Sequence, residues 1–133
     1  MYFLDTNTCI YYLKGTFPAL HKKFLDVSPN IIKIPSMVAA ELVYGAQKSQ
    51  KAVQNMNIIG KFLGPLEIID FDMEAAALYG KIRASLEKTG NIIGFNDIII
   101  AATALANNGI LITNNTGEFS RVDGLIIENW TCN

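Results

Sequence analysis

The strongest constraint on how this chain folds is an alternation: five short β-rich runs, each too brief to stand alone, are separated by segments with helical periodicity. The runs are Tyr2 to Leu4, Ile31 to Ile34, Leu66 to Ile69, Ile110 to Ile112 and Leu125 to Ile127. Helical patterns occupy about residues 6–14, 17–27, 36–48, 50–63, 73–88 and 96–107, with Gly15, Pro18, Pro29, Gly64-Pro65 and Gly90 at the joints. Strands joined through helices run parallel and are covered on both faces. The pattern therefore predicts an α/β fold, a Rossmann-like, mostly parallel central sheet of four to five strands with helices on both faces. All 133 residues belong to one domain, 1–133, long enough for a real core.

Composition removes several classes of function. The longest apolar stretch falls well short of the roughly 20 residues that cross a bilayer, so no transmembrane helix and no membrane partner are expected. The start has no basic segment and carries Asp5 where a signal peptide needs apolar residues, which predicts a cytoplasmic protein. Cys9 and Cys132 have neither metal-ligand spacing nor a disulfide framework, and Cys9 reads as a buried thiol on the first helix. The lone histidine, His21, sits beside Lys22 and Lys23, which excludes a His-rich zinc site and leaves a single imidazole for any triad. Gly15, Gly45, Gly60 and Gly64 form no phosphate loop or dinucleotide fingerprint. With a net charge of −1 the molecule has no global field for a polyanion, so nucleic-acid contact would rest on a local patch. Lys14, Lys22 and Lys23, then Lys48 and Lys51, then Lys81, Arg83 and Lys88 are the candidates, and the ordinary reading of each is a solvated helix face.

Three acids, Asp5, Glu41 and Asp97, lie far apart in sequence but each inside an apolar segment. Carboxylates in such surroundings are costly unless a cation pairs them. Asp5 ends the first run and opens a helix; Glu41 interrupts Val38 to Val43; Asp97 precedes the most apolar helix. A fourth candidate segment, Thr113 to Phe119, follows the run at Ile110. In an open parallel sheet, ligands bind outside the carboxyl ends of the strands at the topological switch point, where Asp5, Asn114 and Asn115 fall together, with Glu41 and Asp97 brought by helix starts. Hard oxygen donors select magnesium or manganese, and such ions support attack of water on a phosphodiester. Each residue also has a structural reading: Asp5 and Asp97 as helix caps, Glu41 in an exposed stripe with Met37 and Lys48, Asn115 as turn chemistry, Glu118 as a loop charge.

Leu4-Asp5-Thr6-Asn7, Ala40-Glu41-Leu42-Val43-Tyr44-Gly45-Ala46 with Lys48-Ser49, and Gly94-Phe95-Asn96-Asp97 leading into Ile100-Ala101-Ala102 resemble the conserved blocks of PIN-domain ribonucleases. The closing stretch Thr113 to Val122, with Gly124-Leu125 and Glu128-Asn129-Trp130, is similar to VapC toxins of VapBC toxin–antitoxin systems. The resemblance spans essentially the whole chain in the right order. It implies a PIN-like sheet and an endoribonuclease dependent on Mg2+ or Mn2+, with transfer RNA among its possible substrates. Asp5, Glu41 and Asp97 match the three core metal-binding acids. Asn115 stands where many PIN domains have a fourth Asp, Glu118 offers the missing charge, and Thr6 and Thr113 become hydroxyls around the metal. The resemblance also implies a homodimer and a cognate VapB-like antitoxin. The antitoxin tail would lay apolar residues near Tyr11, Leu42 and Tyr44 and a basic residue close to Asp5 and Asp97. Two alternatives remain from the residues: a catalytically silent PIN domain serving as a binding or autoregulatory module, and a metal-dependent phosphatase of the haloacid-dehalogenase type. The phosphatase motif would need an acid at Asn7.

Overall fold

The computed structural model describes residues 1–132. In chain order the elements are β1 (Tyr2–Leu4), α1 (Thr6–Lys14), α2 (Pro18–Asp26), β2 (Ile32–Pro35), α3 (Ser36–Lys48), α4 (Ala52–Leu63), β3 (Glu67–Ile69), α5 (Met73–Thr89), α6 (Phe95–Ala106), β4 (Ile110–Ile112), α7 (Thr116–Phe119) and β5 (Ile126–Glu128). The expected α/β architecture is present, with all five runs as strands of one sheet ordered β3-β2-β1-β4-β5. Every neighbouring pair is parallel, with Tyr2 opposite both Ile32 and Ile110, Lys33 opposite Glu67, and Ile112 opposite Glu128. The chain steps outward from β1 to β3, then returns to the other side of β1 for β4 and β5. The switch point therefore lies between the carboxyl ends of β1 and β4, and a crevice opens there.

The strands are short yet held, because both of their faces are covered. Phe3, Leu4, Ile32, Ile34, Leu111 and Ile112 are all fully buried, although successive side chains point to opposite faces. Each such side chain contributes about 1.5–3 kcal/mol of burial. On β4's approach Gly109 is itself buried, and a Cβ at this position would overlap the Phe3 ring, so the close packing of β1 requires glycine there. Helix α6 is apolar on most sides, with Ile98, Ile100, Ala101, Ala102, Thr103 and Ala104 buried, and it packs against α5. Cys9 is buried, and burial together with the Asp5 charge pushes its thiol well above the usual range. Among the described residues no helix is long and apolar enough to cross a membrane.

Two local features depart from the sequence reading. Ile31 belongs to a 3₁₀ turn, Pro29–Ile31, rather than to β2, because the Ser28 hydroxyl accepts from Asn30 N and starts a turn there. The polar segment after β4 contains the one-turn helix α7, which is too short to show periodicity but is anchored by the buried Phe119.

Candidate active site

The crevice is built from two strand ends and two helices. Asp5 leaves β1 and caps α1: its Oδ1 accepts from Thr8 N at 2.9 Å. From β4, the Thr113 hydroxyl donates to the other carboxylate oxygen, Oδ2, at 2.6 Å. Asp5 N donates to Ile112 O at 3.1 Å, so strand pairing locks this acid to the end of β4. The Thr113 hydroxyl also accepts from Asn115 N at 2.9 Å, and Asn115 Nδ2 donates to Glu118 Oε2 at 3.0 Å. A single chain of hydrogen bonds thus runs from Asp5 through Thr113 and Asn115 to Glu118.

Glu41 stands well inside α3 rather than at its start, half-buried beside the core-facing Val38 and Leu42. Its Oε1 accepts from the Thr6 hydroxyl at 2.5 Å, and its Oε2 from Asn96 Nδ2 at 3.5 Å, a long contact. Helix α6 brings Asp97 in its first turn, one residue before the fully buried Ile98. Gly94, not Asp97, occupies the cap position of α6, and no side chain makes the capping bond. The cap reading therefore applies to Asp5 and not to Asp97.

The electrostatics bind these acids into one group. Burial pushes the Asp97 carboxyl up to about 6, and the charges of Glu118, Glu41 and Asp5 add to the rise. Burial also raises Asp5 above its ordinary value; hydrogen bonds from Thr113 and Thr8 hold it partly down, and Glu41 adds to the rise. Four carboxylates thus act on one another, and the ion pairs among the described residues, Lys33–Glu67 and Arg83–Glu87, involve none of them. Among the described residues no three His, Cys, Asp or Glu side chains stand close enough together to hold a metal ion as they are placed. Clustered like charges repel one another, and a divalent cation would cancel that repulsion. The oxygen-only donor set fits a hard cation.

Two polar residues that the sequence did not single out complete the site. Thr8 is buried, donates its backbone N–H to Asp5 and its hydroxyl to Ile112 O at 3.1 Å. Its position three residues after a capping Asp is the signal that would have found it. Asn96, which contacts Glu41, is a polar residue in the first turn of the most apolar helix. Asn7 is exposed. The phosphatase motif needs an acid at that position, and Asn7 supplies none.

A groove reaches Glu41 on the α1–α3–α4 side, lined by Ile10, Leu13, Leu42 and Ile58, with Lys14, Glu41 and Asn55 on its wall. Leu42 lines it. Tyr11 instead packs edge-on against Phe17, and Tyr44 stands exposed beneath the Lys48 ammonium.

The PIN domain family model matches residues 2–125. The chain is 45% identical over 131 residues to Ribonuclease VapC2 of Rickettsia felis, covering 98% of each protein. It is 38% identical over 130 residues to the tRNA(fMet)-specific endonuclease VapC of Shigella flexneri, again covering 98% of each. Among solved structures, VapBC2 from Rickettsia felis bound to a DNA fragment from its promoter superimposes with a TM-score of 0.91 at 44% identity, over 97% of this chain and 98% of that one.

Proposed function

The chain belongs to the PIN domain family and, within it, to the VapC ribonucleases, and from that premise we propose that it is a toxin cutting RNA by metal-dependent attack of water on a phosphodiester. One observation supports the mechanism: Asp5, Glu41, Asp97 and Glu118 share one electrostatic field at the sheet's switch point, and neither ion pair among the described residues involves any of them. Mg2+ or Mn2+ bound there would supply the positive charge that activates water and stabilises the leaving oxygen.

The chain's own residues divide the work. Asp5, pinned by Thr8 and Thr113, is the fixed ligand. Glu41 and Asp97 complete the donor set from the opposite side, Thr6 and Asn96 orienting Glu41. Asn115 contributes a neutral oxygen, and its amide aims Glu118, whose charge substitutes for the acid absent at position 115. Asp5 and Thr113 are buried, and charge acts more strongly in such surroundings than in water.

The tRNA(fMet) named for the Shigella flexneri relative supports transfer RNA as the substrate class. A VapB-type antitoxin is the natural inhibitor, by analogy with the VapBC complexes of relatives. The groove of Ile10, Leu13, Leu42 and Ile58 leads to Glu41, which suits an apolar tail ending in a basic residue that pairs with the carboxylates. Exposed Tyr44 and Val53 on α3 and α4 support a homodimer.

Purified, antitoxin-free protein should cleave RNA in Mg2+ or Mn2+ and not in EDTA. Asp97→Asn should lower that activity by about 100-fold or more, on the scale of losing a charged group at the reacting centre, while the fold is kept. Near-normal cleavage by Asp97→Asn would overturn the site.

A further inference from the structure

Beside the carboxylates runs a strip of aromatic and guanidinium groups that takes no part in their hydrogen bonding. Phe71, just beyond the carboxyl end of β3, meets Tyr79 edge-on, with ring centroids 6.1 Å apart. The Tyr79 hydroxyl accepts from Arg83 Nη1 at 3.1 Å, and the Arg83 guanidinium lies 4.0 Å over the ring of Phe95. Phe95 is 51% exposed, two residues ahead of Asp97 in the first turn of α6. A second guanidinium, Arg121, donates to Ile92 O at 3.4 Å, on the segment that leads into α6. The strip's far end is tied to the start of α3, where Phe71 N donates to the Ser36 hydroxyl at 3.2 Å.

This arrangement answers a problem that the carboxylates create. A phosphodiester brought to four acids is repelled, and a net charge of −1 offers no global compensation. Local cations are needed, and Arg83 and Arg121 stand next to the segment that carries Asp97. Arg83 is not a freely solvated helix charge: its side chain is 37% exposed and stacked on a ring, and its ion pair with Glu87 is a long surface contact at 3.8 Å. The Phe95 ring, backed by a cation yet left half open, has the geometry of a stacking platform rather than of a core residue.

We propose that Phe95, backed by Arg83, stacks an unpaired nucleobase of a single-stranded RNA segment while Arg83 and Arg121 take the adjacent phosphates, so that the bond to be cut is drawn against Asp97. The proposal rests on the ribonuclease reading. Stacking requires a base that is not paired, so the platform selects loops and single strands over duplex.

The test uses a single-stranded oligoribonucleotide carrying 2-aminopurine, bound to the antitoxin-free full chain in an Asp97→Asn background so that nothing is cut. Binding should quench the probe. Phe95→Ala should weaken binding about tenfold and abolish the quenching, and Phe95→Tyr should restore both. Arg83→Gln should weaken binding and lower the salt dependence by about one phosphate contact. Thermal unfolding checks that each variant is folded. Unchanged affinity and quenching in Phe95→Ala would overturn the proposal, as would an equal loss toward fully double-stranded RNA. So would unchanged RNA affinity with lost antitoxin affinity, which would assign the strip to the protein partner. Cleavage by the unsubstituted chain is measured in parallel. If it cleaves RNA while Phe95→Ala binds normally, the platform alone is wrong; if it neither binds nor cleaves, the ribonuclease reading falls and the platform with it.

Discussion

At the carboxyl ends of β1 and β4, Asp5 accepts from Thr8 N and the Thr113 hydroxyl, and its own N–H is paired with Ile112 O. Across the crevice Asp97 has no such donors: burial and the charges of Glu118, Glu41 and Asp5 act on it, all in the direction that disfavours its ionised form. On one side the fold supplies hydrogen bonds that partly offset the cost of burial. The other is left electrostatically frustrated, as the proposed cation site would require. The contrast follows from origin, because Asp5 belongs to a strand end whose backbone is already paired, whereas Asp97 arrives on a helix turn that has only Gly94 as its cap.

The largest test of this comparison is the Thr113 hydroxyl, which joins Asp5 to the Asn115–Glu118 arm. Thr113→Val should lower kcat/KM for RNA cleavage about 10–100-fold, the usual cost of removing a group that orients a metal ligand. Thr6→Val, on the looser side, should cost less. Equal losses would erase the distinction between the two sides.

A sharper contrast lies in stability without metal. Asp5→Ala should destabilise the fold by about 1–2 kcal/mol in denaturant unfolding, since it removes a helix cap and the partner of a buried hydroxyl. Asp97→Ala should be neutral or stabilising, because it removes a charge the folded state disfavours. Loss of stability in both variants would mean that Asp97 has a structural role.

The smallest effect is a pH dependence. The Asp97 carboxyl ionises near 3.8 in the unfolded chain and at about 6 in the folded one, so between these values the folded state binds more protons. The stability of the cation-free protein should therefore fall as pH rises from about 4 to 6, contrary to the usual behaviour of a paired carboxylate. Magnesium or manganese should raise the thermal midpoint more at pH 7 than at pH 5, and Asp97→Asn should flatten the slope. A cation-free stability that rises over this range would show that other groups dominate.

Much of the fold is legible without coordinates. The alternation of short apolar runs with helical segments foretells a parallel sheet, and the ends of β1, β4, α1 and α3 fall where the pattern puts them. The Pro29–Ile31 turn and α7 do not, because three or four residues carry no period and are set by a Ser28 hydroxyl or by the burial of Phe119. Among the site residues, the acids are visible as charges out of place in apolar segments. The roles of Thr8 and Asn96 are not, since a threonine on a helix start or an asparagine in a first turn has many ordinary uses.

By itself, the sequence determined the elements, their parallel arrangement and which acids had no business in apolar surroundings, since all of these follow from local periodicity and the cost of burying charge. Only the tertiary structure decided that Asp5 would be pinned and Asp97 left without donors, that Thr113 would bridge two strand ends, and that the partly exposed Arg83 would lie over Phe95. Those outcomes depend on which residues meet across separations of 108 positions, as Asp5 and Thr113 do, and no local propensity encodes a meeting at that distance.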